Sequence, residues 1–476
     1  MDFRGRVYPI PPLFNHIGDD LSRSLLLFAK GEPLGPGGLD WLKIHCVNLS
    51  GHLKKASLQE RLQYAHTLMP QILASADQPL AENGWWRSAE EPWQTLACCM
   101  ELATAVRCAD PASHISHFPV HQDGSCNGLQ HYAALGRDTE GGRMVNLVPA
   151  DRPQDVYTEV ARRVEELRGR DAVDGVPGKP WMQQIAAAIP PDLVQRRVVK
   201  QTVMTMVYGV TAYGANLHIK RQLKDEEMKK KLAAALPPEQ QYLDGGKCGE
   251  NPARDAAVSR YLTYATFQSM GELLRGATQI QNWLTEVCRV VSAQCHRTME
   301  WRTPLGLPVV QPYFRTKRLP PGLLLAANAA EVSEEKRKQL QEQTPPFQNL
   351  QVPYNMKQKN AFAPNYIHSL DSTHMMLTSL HCQHEGVTFA SVHDCFWTHA
   401  NAVEHMNRIC RQQFIALHSQ PILEELAQSL VRTYLPEFER FANEEMYAVV
   451  KKLLENVPAK GELRLEDVND SVYFFC

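Results

Sequence analysis

Two aspartates close short apolar runs, and the first is followed by residues that leave space around it. Asp123 ends "FPVHQD" and leads into "DGSCNGLQH", with Gly124, Ser125 and Gly128 close behind. Asp394 follows "FASVH" and precedes "CFWTH". A carboxylate at the end of an apolar strand is costly to bury unless a cation or a set of donors meets it. Small residues after it let something large lie against the backbone. Two such carboxylates set side by side by a sheet repel each other unless divalent cations sit between them. Paired Mg²⁺ ions about 4 Å apart are the common clamp for in-line phosphoryl transfer. Taken singly, each aspartate reads as a turn or cap residue.

A second set is cationic. In "QRRVVKQTVMTMVYG" (195–209), Arg196 and Lys200 stand four apart. On a helix they fall about 40° apart, with Tyr208 about 80° further round. Val199, Val203, Met206 and Val207 take other faces. Like charges at this spacing repel, which points to an anion held between them. A nucleoside triphosphate is such an anion, and Tyr208 offers a ring and a hydroxyl to its nucleoside end. An amphipathic helix with solvated cations would show the same pattern. Arg4 and Arg6, two apart on an expected strand, share a face, as solvated arginines also would. "HCQHEG" (381–386) holds metal-ligating residue types, but structural zinc wants four well-spaced ligands, so it is not read as a metal site.

These groups need elements to carry them. Residues 1–20 read as a short strand and Pro-rich turn, and 21–110 as mostly helical. Residues 115–135 read as strand, turn, helix. Helices are expected over 153–168 and 192–208, the second with Asp192 as a candidate N-cap. A helix with a charge run begins near 217 and gives way to a loop before 256; helix resumes to 300. Residues 301–355 are Pro-rich and read as irregular, with a charged helical piece near "EVSEEKRKQLQEQ". Helix is expected after the proline of "FAPNYIHSLDSTHM". Residues 387–400 read as two short strands with His393 and Asp394 at the bend. The last third is helical and ends in "VYFFC".

The composition accommodates this. The chain has 476 residues, 44% hydrophobic and 21% charged, which suits a globular protein with more than one core. A formal net charge of −2 neither requires nor forbids nucleic acid, since a basic cleft can sit on a neutral protein. No apolar run approaches the roughly 20 residues of a membrane span. Twelve cysteines without a C-x-x-C pair argue against a disulfide framework or zinc ribbon. "MDFRGRVYPIPPLF" shows no leader pattern and reads like the interior of a folded domain, so the chain is expected to be part of a longer protein.

"DGSCNGLQH", "RRVVKQTVMTMVYG" and "SVHDCFWT" resemble, in order, the three polymerase motifs of the phage-type single-subunit DNA-directed RNA polymerases. "MDFRGRVYP", "WLKIHCVNLSG" and "FAPNYIHSLDSTHM" resemble further stretches of that family; "EEPWQTLACCME" and the terminal "YFFC" are similar to its vertebrate mitochondrial branch. The resemblance covers nearly the whole chain. It implies an α+β, mostly helical fold: a right-hand polymerase palm and fingers with a small antiparallel palm sheet. Residues 1–150 would hold a palm part with the first aspartate, 151–355 the fingers, and 356–476 the palm return with the second aspartate and the C-terminal helices.

It further implies DNA-templated RNA synthesis from nucleoside triphosphates, with the DNA template and nascent RNA as partners. Asp123 and Asp394 would bind two Mg²⁺ ions, with the Gly124 carbonyl an added ligand. Lys200 would contact the triphosphate and protonate the leaving pyrophosphate, and Arg196 would hold the phosphates. Tyr208 and Gly128 would stand by the ribose, His368 by the nascent base pair, and Arg4 and Arg6 by the duplex backbone. A mitochondrial location and mitochondrial initiation and elongation factors are implied by the resemblance alone. Residues 170–192 look longer than the family's spacer, and 314–350 depart from its promoter-specificity hairpin. A related DNA polymerase would carry a glutamate where Gly128 stands; a non-catalytic nucleic-acid-binding fragment is the other alternative.

Overall fold

The computed structural model of the chain describes residues 1–225, 228, 252–319, 348–440 and 442–476. The fold is α+β and mainly helical, with short antiparallel strands. Two compact units are each assembled from separate stretches of chain. The first comprises Met1–Ile280, Tyr366–Ile422 and Pro458–Cys476; the second, Gln281–Asn365 and Leu423–Val457.

At the heart of the first unit is a three-stranded sheet in the order Pro119–Asp123, Cys395–His399, Ala390–Val392. Both pairings are antiparallel, and Asp123 stands opposite Cys395. Along Pro119–Asp123, Val120 and Gln122 are fully buried while Asp123 is open to solvent. Phe118 and Val120 join a core built with Leu42, Cys46, Ile72 and Leu102 from three helices, Gly35–Ser50, Leu58–Asp77 and Pro92–Arg107. Fully burying one such aliphatic side chain is worth about 1.5–3 kcal/mol, so this face fixes the strand register. His121 stacks on its cross-strand partner Trp397, ring centroids 3.9 Å apart.

The chain end covers the free edge of Pro119–Asp123. The Cys476 amide donates to the Asp123 carbonyl at 3.1 Å, and Gly124 bridges to Phe475. Phe475 stacks on Phe396 at 4.9 Å, so apolar burial as well as backbone pairing holds the terminus there.

In the second unit two hairpins pair Glu300–Arg302 with Pro308–Val310, and Phe314–Leu319 with Gln348–Pro353. Gln311 and Gln358 bond each other's side chains and backbone in the interior. The Tyr434 hydroxyl donates to the Thr298 carbonyl at 2.8 Å.

Several expectations need correction. Residues 1–20 contain no strand: Gly5, at φ 92°, closes a tight turn whose amides at Arg4 and Arg6 donate to the Asp2 carboxylate. The expected helix 192–208 is a 3₁₀ turn, Pro191–Leu193, followed by a helix Arg196–Met206 capped by Gln195 in extended backbone. Asp192 is therefore not its N-cap. Residues 301–355 are hairpins wherever described; the charged piece near 331–343 lies outside the described residues. The helix Asn355–His384 begins before Pro364 and runs through it. Packing of Phe362, Tyr366 and Ile367 in the interior outweighs the hydrogen bond that the proline removes. Of the charge run after 217, the described part lies in the helix Ala212–Leu223 and at the helical Met228, and most of the remainder is outside the described residues.

Candidate active site

Asp123 and Asp394 lie at neighbouring strand ends. Asp394 occupies a two-residue hairpin bend between Ala390–Val392 and Cys395–His399. His393 before it takes φ 57°, the left-handed backbone such tight bends demand. The Gly124 amide donates to the Asp394 carbonyl at 3.1 Å, tying the two aspartate segments directly. A Cβ at Gly124 would come 3.3 Å from Phe475, a slightly tight contact, and 3.5 Å from the Asp394 carbonyl, an ordinary one. Burial raises the Asp394 carboxyl above its ordinary range, and the charges of Asp371 and Asp123 raise it further. The surroundings of Asp123 raise it in the same direction even though its surface reaches solvent, because protein atoms crowd the carboxyl. Two carboxyls destabilised as anions offer oxygen donors, which suit Mg²⁺. Among the described residues no group of three or more His, Cys, Asp or Glu side chains is set to enclose a metal. A two-carboxylate pair leaves coordination positions for water and phosphate oxygens.

The helix Arg196–Met206 buries Val198, Val199, Thr202 and Val203 and leaves Lys200 exposed. The ammonium of Lys200 has no ion pair or hydrogen bond among the described residues. Arg196 donates through Nε to Asp155 Oδ2 at 2.7 Å and lies over the Tyr157 ring at 5.2 Å. Tyr208 sits in the turn after the helix, its amide donating to the Thr205 carbonyl. Burial, with Asp394 adding repulsion, raises its phenol, which therefore stays protonated as a donor. Gly128 stands against this turn: a Cβ there would fall 2.5 Å from Val207 Cγ1 and 3.4 Å from the Tyr208 hydroxyl. The empty space read from the sequence at Gly128 is instead a close helix-to-turn contact.

His368 completes this wall. Its ring stacks on Tyr208 at 4.7 Å, and its Nδ1 accepts from Arg4 Nη1 at 2.9 Å, which puts the proton on Nε2. Burial and the nearby arginines Arg6 and Arg4 push its pKa down to about 2, so the ring is neutral. Arg4 also binds Asp2. Arg6 forms a buried salt bridge with Asp371, donating through Nε at 2.9 Å. Asp371 accepts from Asn127 Nδ2 at 2.6 Å as well. The two arginines thus brace the site from within, with Arg6 held across to the helix that follows Asp123. Asp371, Asp155 and Tyr157 escaped the sequence reading. The only sequence signal for Asp371 was its place in "HSLDSTH", and Asp155 gave none.

A sheet that sets two carboxylates at adjoining strand ends, faced by a helix bearing the exposed Lys200 and the tethered Arg196, has the layout of a polymerase palm. The chain matches the DNA-dependent RNA polymerase family over residues 32–476 and belongs to it. Over its whole length it is 48% identical to the mitochondrial DNA-directed RNA polymerase of Homo sapiens, of which it covers 35%. The Mus musculus mitochondrial enzyme is also 48% identical, with 36% covered. DNA-directed RNA polymerase 2B, chloroplastic/mitochondrial, of Nicotiana tabacum is 41% identical, with 41% covered. The chain therefore spans well under half the length of these curated relatives. No helix among the described residues is long and apolar enough to cross a membrane.

Proposed function

We propose that this chain carries the nucleotidyl-transfer centre of a DNA-templated RNA polymerase that works in mitochondria. The observation that supports it most is the pairing of Asp123 beside the Asp394 bend, two carboxyls both raised by burial, Asp394 further by the charges of Asp371 and Asp123. The organellar names of the relatives support the location. In this reading residues 1–150 and 356–476 supply the palm and 151–355 the fingers.

Asp123 and Asp394, once ionised, would hold two Mg²⁺ ions with the Gly124 carbonyl, supplying charge neutralisation at the attacking and leaving oxygens. Lys200, exposed and unpaired, meets the triphosphate and is placed to give a proton to the departing pyrophosphate oxygen. Arg196 holds the phosphates through its terminal amino groups. The Tyr208 hydroxyl donates to the ribose hydroxyl, and stacking on neutral His368 keeps the phenol in place. Gly128 acts one step back, letting the 207–208 turn seat so close to the Asp123 segment. Arg4 and Arg6 fix that wall on the duplex side. Attack is by an RNA 3′-hydroxyl on the α-phosphate, and base pairing to the DNA template selects the nucleotide.

The test is extension of a preformed RNA primer on a DNA template with nucleoside triphosphates and Mg²⁺. Template-dictated addition of ribonucleotides is the result this reading requires. Preferential use of deoxynucleotides would favour a DNA polymerase, and scaffold binding without extension would favour a non-catalytic fragment.

A further inference from the structure

Asp155 is the residue before the helix Val156–Asp174, the usual place for a capping side chain, yet its carboxylate makes no cap hydrogen bond. The group is turned elsewhere. Oδ2 accepts from Arg196 Nε at 2.7 Å and from the Thr158 hydroxyl at 2.6 Å. Oδ1 faces Lys55 Nζ at 3.2 Å as an ion pair without an aligned hydrogen bond. Asp155 is 9% exposed in its side chain, whereas Arg196 and Lys55 keep 38% and 48%. One buried carboxylate therefore anchors two partly exposed cations. Burial works against its charge, but bonds from Arg196 and Thr158 and the charge of Lys55 win, and the carboxyl lies below its ordinary range.

The atom used on Arg196 matters. An arginine held by its terminal nitrogens would spend its fork on the partner. Here Nε is spent, and neither terminal nitrogen has a hydrogen bond among the described residues. The guanidinium plane is also limited by the Tyr157 ring, whose hydroxyl reaches Cys126 Sγ at 3.5 Å, three residues after Asp123. Without Asp155, Arg196 and Lys55 would repel, and the flexible arginine would lose its tether.

We propose that Asp155 is a positioning residue: it grips Arg196 by Nε so that the terminal amino pair is presented to the phosphates of the incoming nucleoside triphosphate. This rests on the nucleotide-binding reading of Arg196 given above. It assigns to Asp155 a role through Arg196, with no contact to substrate.

The experiment measures Asp155→Asn, Arg196→Ala and the double variant in two ways. One is single-nucleotide extension on an RNA–DNA scaffold; the other is equilibrium binding of inorganic tripolyphosphate in EDTA. Asp155→Asn should raise the nucleotide KM about five- to twentyfold with kcat within about twofold, and weaken tripolyphosphate similarly. The double variant should bind no worse than Arg196→Ala alone, because both changes remove one device. Thr158→Val, which loses one bond to the same carboxylate, should move KM in the same direction by about two- to threefold, and carries the test if Asp155→Asn does not fold. Additive losses, an unchanged KM, or tighter tripolyphosphate binding by Asp155→Asn would overturn the proposal. A wild-type protein that binds tripolyphosphate in this Asp155-dependent way but never extends a primer would leave the proposal standing and remove the polymerase reading.

Discussion

Asp394 sits where its charge is unwelcome: burial, Asp371 and Asp123 all favour the protonated carboxyl. A carboxyl with a raised folded-state pKa binds its proton more tightly folded than unfolded. Its contribution to stability is therefore most favourable below the ordinary carboxylate pKa and is lost as pH rises toward the raised value. Asp394→Asn removes that loss. The variant should be more stable than wild type at pH 7.5 in EDTA, by about 1–2 kcal/mol, and the gap should shrink at pH 5. Urea melts at the two pH values check this, and a variant less stable at pH 7.5 would contradict the assigned electrostatics. Lys200 is the opposite case, an exposed cation without a partner. Lys200→Ala should leave stability within about 0.5 kcal/mol. It should slow the chemical step and raise the nucleotide KM, with scaffold affinity unchanged; lost scaffold binding with intact nucleotide kinetics would make this helix a duplex clamp. Asp123, Asp394, Arg196, Lys200 and Tyr208 could be singled out as candidates because residue type and local spacing mark them. Asp155 and Asp371 were not, because their partners are 41 and 365 residues away.

At the level of elements, the hairpin around Asp394 was readable from two apolar runs flanking a bend, and a helix near 192–208 from the cationic stripe set against its valines. What failed were boundaries set by tertiary context. Pro364 looks like a helix start but lies inside Asn355–His384, where burial of the flanking residues overrides it. Asp192 looks like a cap, yet the chain turns once more before the helix begins at Arg196. Gly128 is instructive because its residue type was noticed and its reason was not. The glycine lets the helix Asn127–Gly136 touch Val207, and an added methyl must displace that side chain. Gly128→Ala should destabilise the fold by about 1–3 kcal/mol through overpacking. It should also blunt discrimination between ribo- and deoxynucleotides, because Tyr208 moves with Val207. Adding Val207→Ala should recover most of both losses, as read by thermal melts and by the ratio of kcat/KM values for the two sugars. Failure of Val207→Ala to rescue would show that Gly128 acts otherwise.

Over the whole molecule, the sequence indicated one α+β fold with a small sheet, and the first unit bears this out. Little in the residue pattern hints that this unit gathers three separated stretches, with the chain end laid along the Asp123 strand. Long-range pairing of this kind leaves only a short aromatic tail as its local trace. Whether the sheet brings Asp123 and Asp394 together to transfer nucleotides is decided by extension of an RNA primer annealed to DNA. Wild type should add the templated ribonucleotide in Mg²⁺, while Asp394→Asn, folded and binding the same scaffold, should add none detectable. Losing one charge from such a pair weakens ion binding and transition-state neutralisation together. Near wild-type extension by Asp394→Asn at ordinary Mg²⁺ would contradict the account.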